Sequence, residues 1–142
     1  MTVNSMSPYP DLFLTLRQFI GRGAVLPVRT RFHYDPADPF AVTIDFSHGF
    51  GDATTWVLAR ELLADGLRRP AGEGDVWLRP PCRCGRRVTL GIHLDVRRSP
   101  AVLEADVAPV RDWLVGTFQL VPAGTEGDHI DWDEEAARHL HR

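Results

Sequence analysis

The sequence contains no lysine, so all 16 of its basic residues are arginine, and it contains only two cysteines. It has no run of the roughly eighteen apolar residues that a membrane-spanning helix requires. The first eight residues show neither the basic nor the apolar region of a secretory signal peptide. These absences predict a cytoplasmic protein that does not insert into a membrane.

The exclusive use of arginine has two explanations. Arginine codons are rich in GC, so a GC-rich genome would produce the bias, whereas a guanidinium group also recognises carboxylates and phosphates through two parallel hydrogen bonds. The net charge is −3 and the sequence pI is about 6.0. Nucleic-acid-binding domains are usually basic, so nucleic acid is not the expected partner, although a local basic face stays possible.

The length of 142 residues, with 44% apolar and 25% charged residues, is typical of one globular domain. Residues 1–10 contain Pro8 and Pro10 and show no periodicity, which predicts a flexible N-terminal tail. The expected organisation is therefore this tail followed by a single domain over residues 11–142.

Apolar and polar residues alternate in the first third of the chain, which predicts strands over residues 11–20, 25–34 and 40–46. In the second of these, Val28 and Phe32 point to one face while Arg29 and Arg31 point to the other. The period then changes. Trp56, Ala59 and Leu63, with helical spacing, predict a helix over residues 54–64, with Asp52 or Thr54 as its N-cap and Gly66 in the left-handed conformation after its end.

The second half has a similar order of elements. Strands are predicted over residues 75–79, 86–96 and 101–107, and Pro109 is predicted to open a helix. The expected fold is therefore α+β, a pseudo-symmetric β-β-β-α repeat with antiparallel sheets. An additional C-terminal helix is predicted from Asp131, where Glu134 completes a capping box.

Two groups of residues have the composition of a catalytic site. Ser47 and His48 are adjacent at a strand end, where neighbouring side chains point to opposite faces, so a Ser/His dyad is not expected. The acidic run Asp131-Trp132-Asp133-Glu134 fits helix capping better than a metal cluster. The chain is therefore predicted not to be an enzyme and to have no catalytic or cofactor-binding residues.

The two cysteines raise the question of a metal site. Cys82 and Cys84 are separated by one residue, which is closer than the usual zinc spacing, and no second cysteine pair completes four ligands. A surface loop with two thiols is the simpler interpretation. A metal site that adds His93 stays open as a hypothesis.

Two surface features remain. The first is a set of arginines on predicted strands, which could bind phosphates or an acidic partner or could simply be solvated: Arg29, Arg31, Arg83, Arg86, Arg87, Arg97 and Arg98. The second is a set of aromatic residues that exceeds what two short helices can bury: Phe13, Phe19, Phe40, Phe50, Trp77 and Trp132. An uncovered apolar patch would mark an interface with a second copy or a partner.

Five segments occur in an order that resembles a known family: Leu26-Pro27-Val28, Tyr34 to Val42, Trp56 to Leu67, Gly72 to Val76 and Val121 to Glu126. The sequence resembles the SsgA-like sporulation and cell-division proteins of actinomycetes from about Leu12 to His139. The most specific parts are the Tyr-Asp-x-Ala-Asp-Pro turn and the helix Trp-Val-x-Ala-Arg-x-Leu-Leu-x-x-Gly-Leu.

This resemblance implies a non-enzymatic regulator that positions septa by recruiting the tubulin-like GTPase FtsZ or by acting with another SsgA-like protein. It implies no cofactor, a location at the division septum, and a whirly-like fold that assembles into a homotrimer. The alternative is a single-stranded nucleic-acid-binding protein of whirly-like architecture. The resemblance identifies no partner-binding residues.

Overall fold

The computed structural model describes residues 7–47, 53–95 and 100–130, apart from the side chain of Cys84. The elements in chain order are β1 (Leu12–Phe19), β2 (Val25–His33), β3 (Ala41–Ser47), β4 (Ala53–Ala59), α1 (Arg60–Gly66), β5 (Ala71–Glu73), β6 (Val76–Cys84), β7 (Arg87–Leu94), β8 (Ala101–Asp106) and α2 (Val107–Leu120). A short 3₁₀ helix follows at Glu126–His129.

The strands of the described chain form one sheet with the order β4-β3-β2-β1-β8-β7-β6-β5. Every pair is antiparallel, and the two halves of the chain join where β1 pairs with β8, with Arg17 opposite Glu104. The predicted α+β class with antiparallel pairing is confirmed.

The predicted helix over residues 54–64 is wrong in its first half, because residues 53–59 form β4 and α1 begins at Arg60. The helical spacing of apolar residues coincides there with the alternation of a strand, since Leu58 is buried whereas Val57 is exposed. Three residues of β4 are β-branched, which favours a strand. The first amide of α1 donates to the Phe40 carbonyl at 2.7 Å, so Thr54 is not the N-cap, and the other candidate, Asp52, lies outside the described residues.

The strand β5 has only three residues, too few to show a periodic pattern. With β4 and β5 included, four strands precede each helix. The predicted β-β-β-α repeat is therefore wrong in its strand number, and the observed order is β-β-β-β-α twice. The pseudo-symmetry of the two halves and the whirly-like architecture stay predictions.

One face of the sheet, here called the inner face, forms the core together with α1 and α2. Its strands contribute alternate residues, because successive side chains of a strand point to opposite faces. Burial of each such large side chain contributes roughly 1.5–3 kcal/mol. The buried members include Leu16, Val28, Phe32, Ile44, Leu90, Ile92 and Leu103 from strands, Leu63 from α1, and Val110, Trp113 and Leu114 from α2.

The helix α2 begins at Val107, two residues before the predicted start at Pro109. Proline is tolerated at this third position because the first amides of a helix have no intrahelical partner. Further along α2, Gly116 has no side chain where the Tyr9 hydroxyl approaches the helix, and that hydroxyl donates to the Trp113 carbonyl at 2.6 Å.

Residues 7–10 lie within the predicted flexible tail, yet they make specific contacts with the core. The Ser7 hydroxyl donates to the Tyr34 carbonyl at 2.6 Å, and the Trp113 indole donates to the Pro10 carbonyl at 2.9 Å. The tail prediction therefore does not apply to these four residues, and residues 1–6 lie outside the described residues.

Gly66 ends α1 and is not among the glycines with a positive φ, so the predicted left-handed conformation is wrong. Its role is a close approach instead. A Cβ atom at Gly66 would lie 2.5 Å from Cδ1 of Leu78, so the missing side chain lets α1 pack directly on β6.

The predicted C-terminal helix from Asp131 lies outside the described residues, as do Phe50, Arg97 and Arg98. Over the ranges that the structure does describe, neither helix has the length and hydropathy needed to cross a membrane.

Candidate functional site

The second face of the sheet, here called the outer face, carries no helix in the part of the chain that the structure describes. Large apolar side chains project from it into solvent: Phe13 is 71% exposed, Val57 63% and Trp77 44%. A monomeric protein usually covers such side chains or uses them for contacts. The outer face is therefore the candidate interaction site.

An ion-pair network crosses the first half of this face. The Arg31 guanidinium donates through Nε to Asp11 Oδ2 at 2.8 Å and through Nη1 to Asp45 Oδ2 at 3.3 Å. Asp11 also contacts Nδ1 of His33 at 2.7 Å, and Asp45 accepts from the Thr55 hydroxyl at 2.7 Å. Two carboxylates thus neutralise and orient Arg31.

A second network lies on the other half. Arg79 donates through Nη2 to Glu104 Oε2 at 3.2 Å and to the Thr89 hydroxyl at 3.2 Å. The Arg79 side chain reaches these two groups by passing over Gly91. A side chain at that position would block it, because a Cβ atom there would lie 2.8 Å from Arg79 Nε. Asp106 accepts from two further arginines, the nearer at 3.1 Å.

Near the ends of five adjacent strands, five outer-face residues lie side by side. This row, here called the outer stripe, follows the strand register through Val25, Phe19, Val102, His93 and Trp77. The rings of Trp77 and His93 meet edge to face with centroids 5.0 Å apart. Burial, aided by the nearby Arg79 charge, lowers the pKa of His93. A neutral His93 makes the stripe predominantly apolar at neutral pH.

A shallow cavity of about 410 Å³ opens on the outer face over β1, β2 and β3. It is here called the Arg29 pocket and is lined by Phe13, Leu14, Thr15, Arg29, Thr30, Arg31, Asp45 and Ser47. Arg29 is exposed, and no ion pair or hydrogen bond joins its side chain to any described residue. The pocket therefore combines an apolar surface with one positive charge that no described carboxylate compensates.

The predicted arginine set does not form one basic surface. Arg31 and Arg87 are paired with carboxylates, whereas Arg83 and Arg86 lie exposed at the β6–β7 hairpin without an ion pair among the described residues. In the sheet order, two strands, β1 and β8, lie between β2, which carries Arg29, and β7 of that hairpin. The charges that remain uncompensated are thus scattered.

The predicted surplus of exposed aromatic residues is present. Phe13, Phe19 and Trp77 all project from the outer face, and Phe40 is 52% exposed just before β3. The remaining two members of that set, Phe50 and Trp132, lie outside the described residues.

Of the three residues in the metal hypothesis, Cys82 and His93 are not brought together, and the side chain of Cys84 lies outside the described part. Cys82 pairs in register with Thr89, whereas His93 lies four residues further along β7, which corresponds to roughly 13 Å. The Cys82 Sγ atom instead lies 2.7 Å from Nη1 of Arg79. No cluster of three or more potential metal ligands occurs among the described residues.

The candidate catalytic residues of the sequence fall largely outside the described part of the chain. Ser47 ends β3 and is exposed, but its neighbour His48 is not described, and neither is the acidic run of residues 131–134.

Sequence reasoning missed a buried arginine at the start of α1. Arg60 is 1% exposed and donates through Nη1 to the Thr117 carbonyl at 2.9 Å and through Nη2 to Glu126 Oε2 at 2.9 Å. Its guanidinium carbon lies 3.9 Å from the centroid of the Phe118 ring and 5.1 Å from that of Tyr34. The Nε atom is buried without a hydrogen-bond partner in the described chain.

This buried centre joins three of the segments that carry the family resemblance. Tyr34 comes from the second of the five segments, Arg60 from the third and Glu126 from the fifth. Glu126 accepts from its own backbone amide, from Arg60 and from the Gly124 amide, and these bonds lower its pKa below 4.5. Burial raises the pKa of Tyr34 to about 12, with the Arg60 charge opposing the shift. The available signal was an arginine placed in line with the apolar stripe of a helix.

The fold and these two centres define an α+β protein with one antiparallel sheet, a charged residue at the centre of its packing and one sheet face that no described helix covers. The family model described as Streptomyces sporulation and cell division protein, SsgA, matches residues 28–126. The chain belongs to this SsgA family of sporulation and cell-division proteins.

Relatives over most of the chain have the same character. The sporulation-specific cell division protein SsgB of Frankia casuarinae is 40% identical over 124 residues, which cover 87% of this chain and 86% of that protein. SsgB of Streptomyces coelicolor is 40% identical over 127 residues, covering 89% of this chain and 92% of that protein.

Solved structures agree with the fold. An SsgA-like sporulation-specific cell division protein from Thermobifida fusca superposes with a TM-score of 0.83 at 34% identity, covering 98% of this chain and 99% of that one. A structure from a study of SsgB mutations and longitudinal cell division in Streptomyces coelicolor gives 0.78 at 39% identity, covering 84% and 93%. The resemblance stated from the sequence is confirmed.

Proposed function

We propose that the protein is a non-enzymatic adaptor of sporulation-specific cell division. It recruits or positions FtsZ at septum sites, either directly or through another SsgA-like protein, and acts in the cytoplasm at the division septum. Membership of the SsgA family supplies the cell-division and sporulation context. The observation that carries the proposal is the outer face, which no described helix covers and where Phe13 is 71% exposed.

The composition of the outer face fits a protein partner. Aromatic residues and arginine are enriched in the centres of protein interfaces, and a few such residues carry most of the binding energy. Phe13 and Val57 supply exposed apolar surface outside the outer stripe, and the paired Arg31 beside them is already oriented by carboxylates. Little conformational freedom of these charged side chains is therefore lost on binding.

Single-stranded nucleic acid is the second candidate partner, and the exposed aromatic residues alone would suit it. Such a partner needs a groove of uncompensated positive charge along which its backbone runs. Arg17, Arg31 and Arg79 on the outer face are each paired with a carboxylate, so most of that charge is already neutralised. The charge distribution favours the protein partner.

The proposal includes a homotrimer that forms through the outer stripe. Phe19 and Trp77 in the stripe are 40% and 44% exposed, and a closed ring of three copies would cover such side chains by packing the stripe against a different surface of the next copy. Light scattering should then give about three times the monomer mass of 15.9 kDa. Trp77→Ser should reduce the measured mass to that of one monomer. A monomeric wild-type protein at micromolar concentration would contradict the trimer proposal.

The direct test is co-pelleting of the purified protein with FtsZ polymers assembled with GTP. Saturable enrichment in the pellet is expected, with none when FtsZ is kept unassembled with GDP, and with none for an unrelated acidic protein of similar size. Absence of enrichment both alone and in the presence of a second SsgA-like protein would contradict the adaptor proposal.

A further inference from the structure

The Arg29 pocket has the most exposed large apolar side chain of the described chain, Phe13, beside an arginine that no described residue neutralises. We propose that this pocket binds an extended acidic segment of the partner protein, with one apolar side chain against Phe13 and an adjacent carboxylate on Arg29. This inference rests on the proposed adaptor function and assigns a site for it.

The two arginines of the pocket differ in what their charge can do. Arg31 is held by Asp11 and Asp45 at 2.8 and 3.3 Å, so its charge is compensated within the protein. Arg29, two residues earlier on the same face of β2, has no such carboxylate among the described residues. A guanidinium forms strong, often bidentate hydrogen bonds with carboxylates. Arg29 is thus the group of the pocket that can bind an external anion.

The neighbours of Arg29 add donors for the same anion. The strand register places Thr15 on one side of Arg29 and Ser47 on the other, and both are exposed hydroxyl residues that line the pocket. A carboxylate above Arg29 can accept from the guanidinium and from one of these hydroxyls. The hydroxyls alone would not select an anion, but beside the Arg29 guanidinium they strengthen the binding of the anion.

The size and charge of the pocket restrict the ligand. A volume of about 410 Å³ lies near the lower end of the range for small-ligand pockets, so it holds one or two side chains and not a folded element. Asp45 lines the same pocket and would repel a second anion nearby. The backbone of a nucleic acid carries a phosphate at every nucleotide, whereas a peptide can place a single carboxylate next to an apolar group.

The test uses a synthetic peptide with one apolar side chain next to one carboxylate, acetyl-Ser-Leu-Asp-Ser-Ser-amide, and a neutral analogue with asparagine in place of aspartate. Amide spectra of the isotope-labelled protein are recorded at increasing peptide concentration. We expect shifts at Phe13, Thr15, Arg29 and Ser47 with the acidic peptide alone. We expect Arg29→Gln and Phe13→Ser each to weaken binding about tenfold, the size of effect for losing one charge-assisted bond or one apolar contact.

Two matched variants control for charge and hydrophobicity. Arg111→Gln and Val115→Ser change an exposed arginine and an exposed valine on α2, which packs on the inner face, and neither should alter peptide binding. Equal shifts with both peptides, no shifts at the pocket, or equal weakening by the control variants would overturn the inference. So would shifts at the same four residues caused by a single-stranded oligothymidylate, which would assign the pocket to nucleic acid.

Failure of the inference and failure of the adaptor function are distinguishable. If wild-type protein co-pellets with FtsZ while Arg29→Gln and Phe13→Ser co-pellet equally well, the adaptor function stands and this site for it is wrong. If wild-type protein does not co-pellet but the acidic peptide binds in the Arg29 pocket, the pocket chemistry stands and the partner is another protein.

Discussion

Arginine lies next to aromatic side chains in two regions of this protein, and the two regions differ in solvent access. Arg60 is buried between Tyr34 and Phe118, and its guanidinium binds Glu126 and a helix carbonyl. Arg29 is exposed in the same pocket as Phe13 and binds no described residue. The same pair of residue types thus holds three segments together in one region and leaves an open surface in the other.

The difference follows from desolvation. A buried guanidinium loses its water and must find an anion and hydrogen-bond acceptors inside the protein. An exposed guanidinium keeps its water, so it costs the folded protein little to leave it unpaired. A substitution should therefore affect stability in the buried region and binding in the exposed region.

The largest expected effect is that of Arg60→Leu. The substitution leaves the Glu126 carboxylate without its charged partner, and loss of one member of a buried ion pair typically costs about 3–5 kcal/mol of the free energy of unfolding. Urea unfolding followed by circular dichroism would measure it. Arg111→Leu, at an exposed position of α2, is the control and should change stability by less than about 0.5 kcal/mol. Equal losses of stability in the two variants would contradict the contrast between the buried and the exposed arginine.

Tyr34→Phe should come next. The Tyr34 hydroxyl is buried and donates to the Pro39 carbonyl at 2.9 Å, and its removal leaves that carbonyl without this donor at a cost of about 1–2 kcal/mol. Because the pKa of Tyr34 is raised to about 12, its stabilising effect is complete below the ordinary value of 10.0 and is lost as the pH rises through 12. Alkaline unfolding should therefore be less steep in the variant, and identical pH profiles would contradict this.

Glu126→Gln should have a smaller effect at neutral pH, because the amide oxygen of glutamine can still accept from Arg60. The difference between a charged and a neutral hydrogen bond is about 1 kcal/mol. The lowered pKa of Glu126 means that the wild-type contribution is present above 4.5 and is lost as the pH falls through the folded-state pKa. Thermal unfolding at a series of acidic pH values should show a shallower decline for the variant. A decline as steep as that of the wild type would count against it.

The smallest stability effects are expected in the Arg29 pocket. Phe13→Ser and Arg29→Gln change exposed side chains, so each should alter the free energy of unfolding by less than about 0.5 kcal/mol. Chemical unfolding of both variants beside the wild type would measure this. A loss of more than 1.5 kcal/mol at either position would show that the residue stabilises the fold, and its exposure would then not indicate a binding site.

Much of the fold could be predicted from local patterns. The alternation in β1, β2, β3 and β7 placed those strands within one or two residues of their observed bounds. The missed strand β4 shows the limit of such patterns. Its apolar residues are compatible with both a strand and a helix, and only the pairing of Ala53–Ala59 with β3 selects the strand.

The candidate site was predicted in part. Exposed aromatic residues and arginines on strands were expected, and Phe13, Phe19 and Trp77 lie on the outer face. The buried centre at Arg60 was not expected, because its partner Glu126 is 66 residues away in the sequence. Periodicity describes neighbours along the chain and contains no information about such a contact.

By itself the sequence determined the family, the α+β class and the face on which each strand residue points, because these depend on residue order and local geometry. Arg29 and Arg31 are equivalent by that criterion, since both point outward from β2. Only the tertiary structure decided that Arg31 is neutralised, by Asp11 and Asp45 at separations of 20 and 14 residues, while Arg29 has no such partner among the described residues. The compensation of a charge depends on strand register and distance in space, and these are properties of the folded sheet.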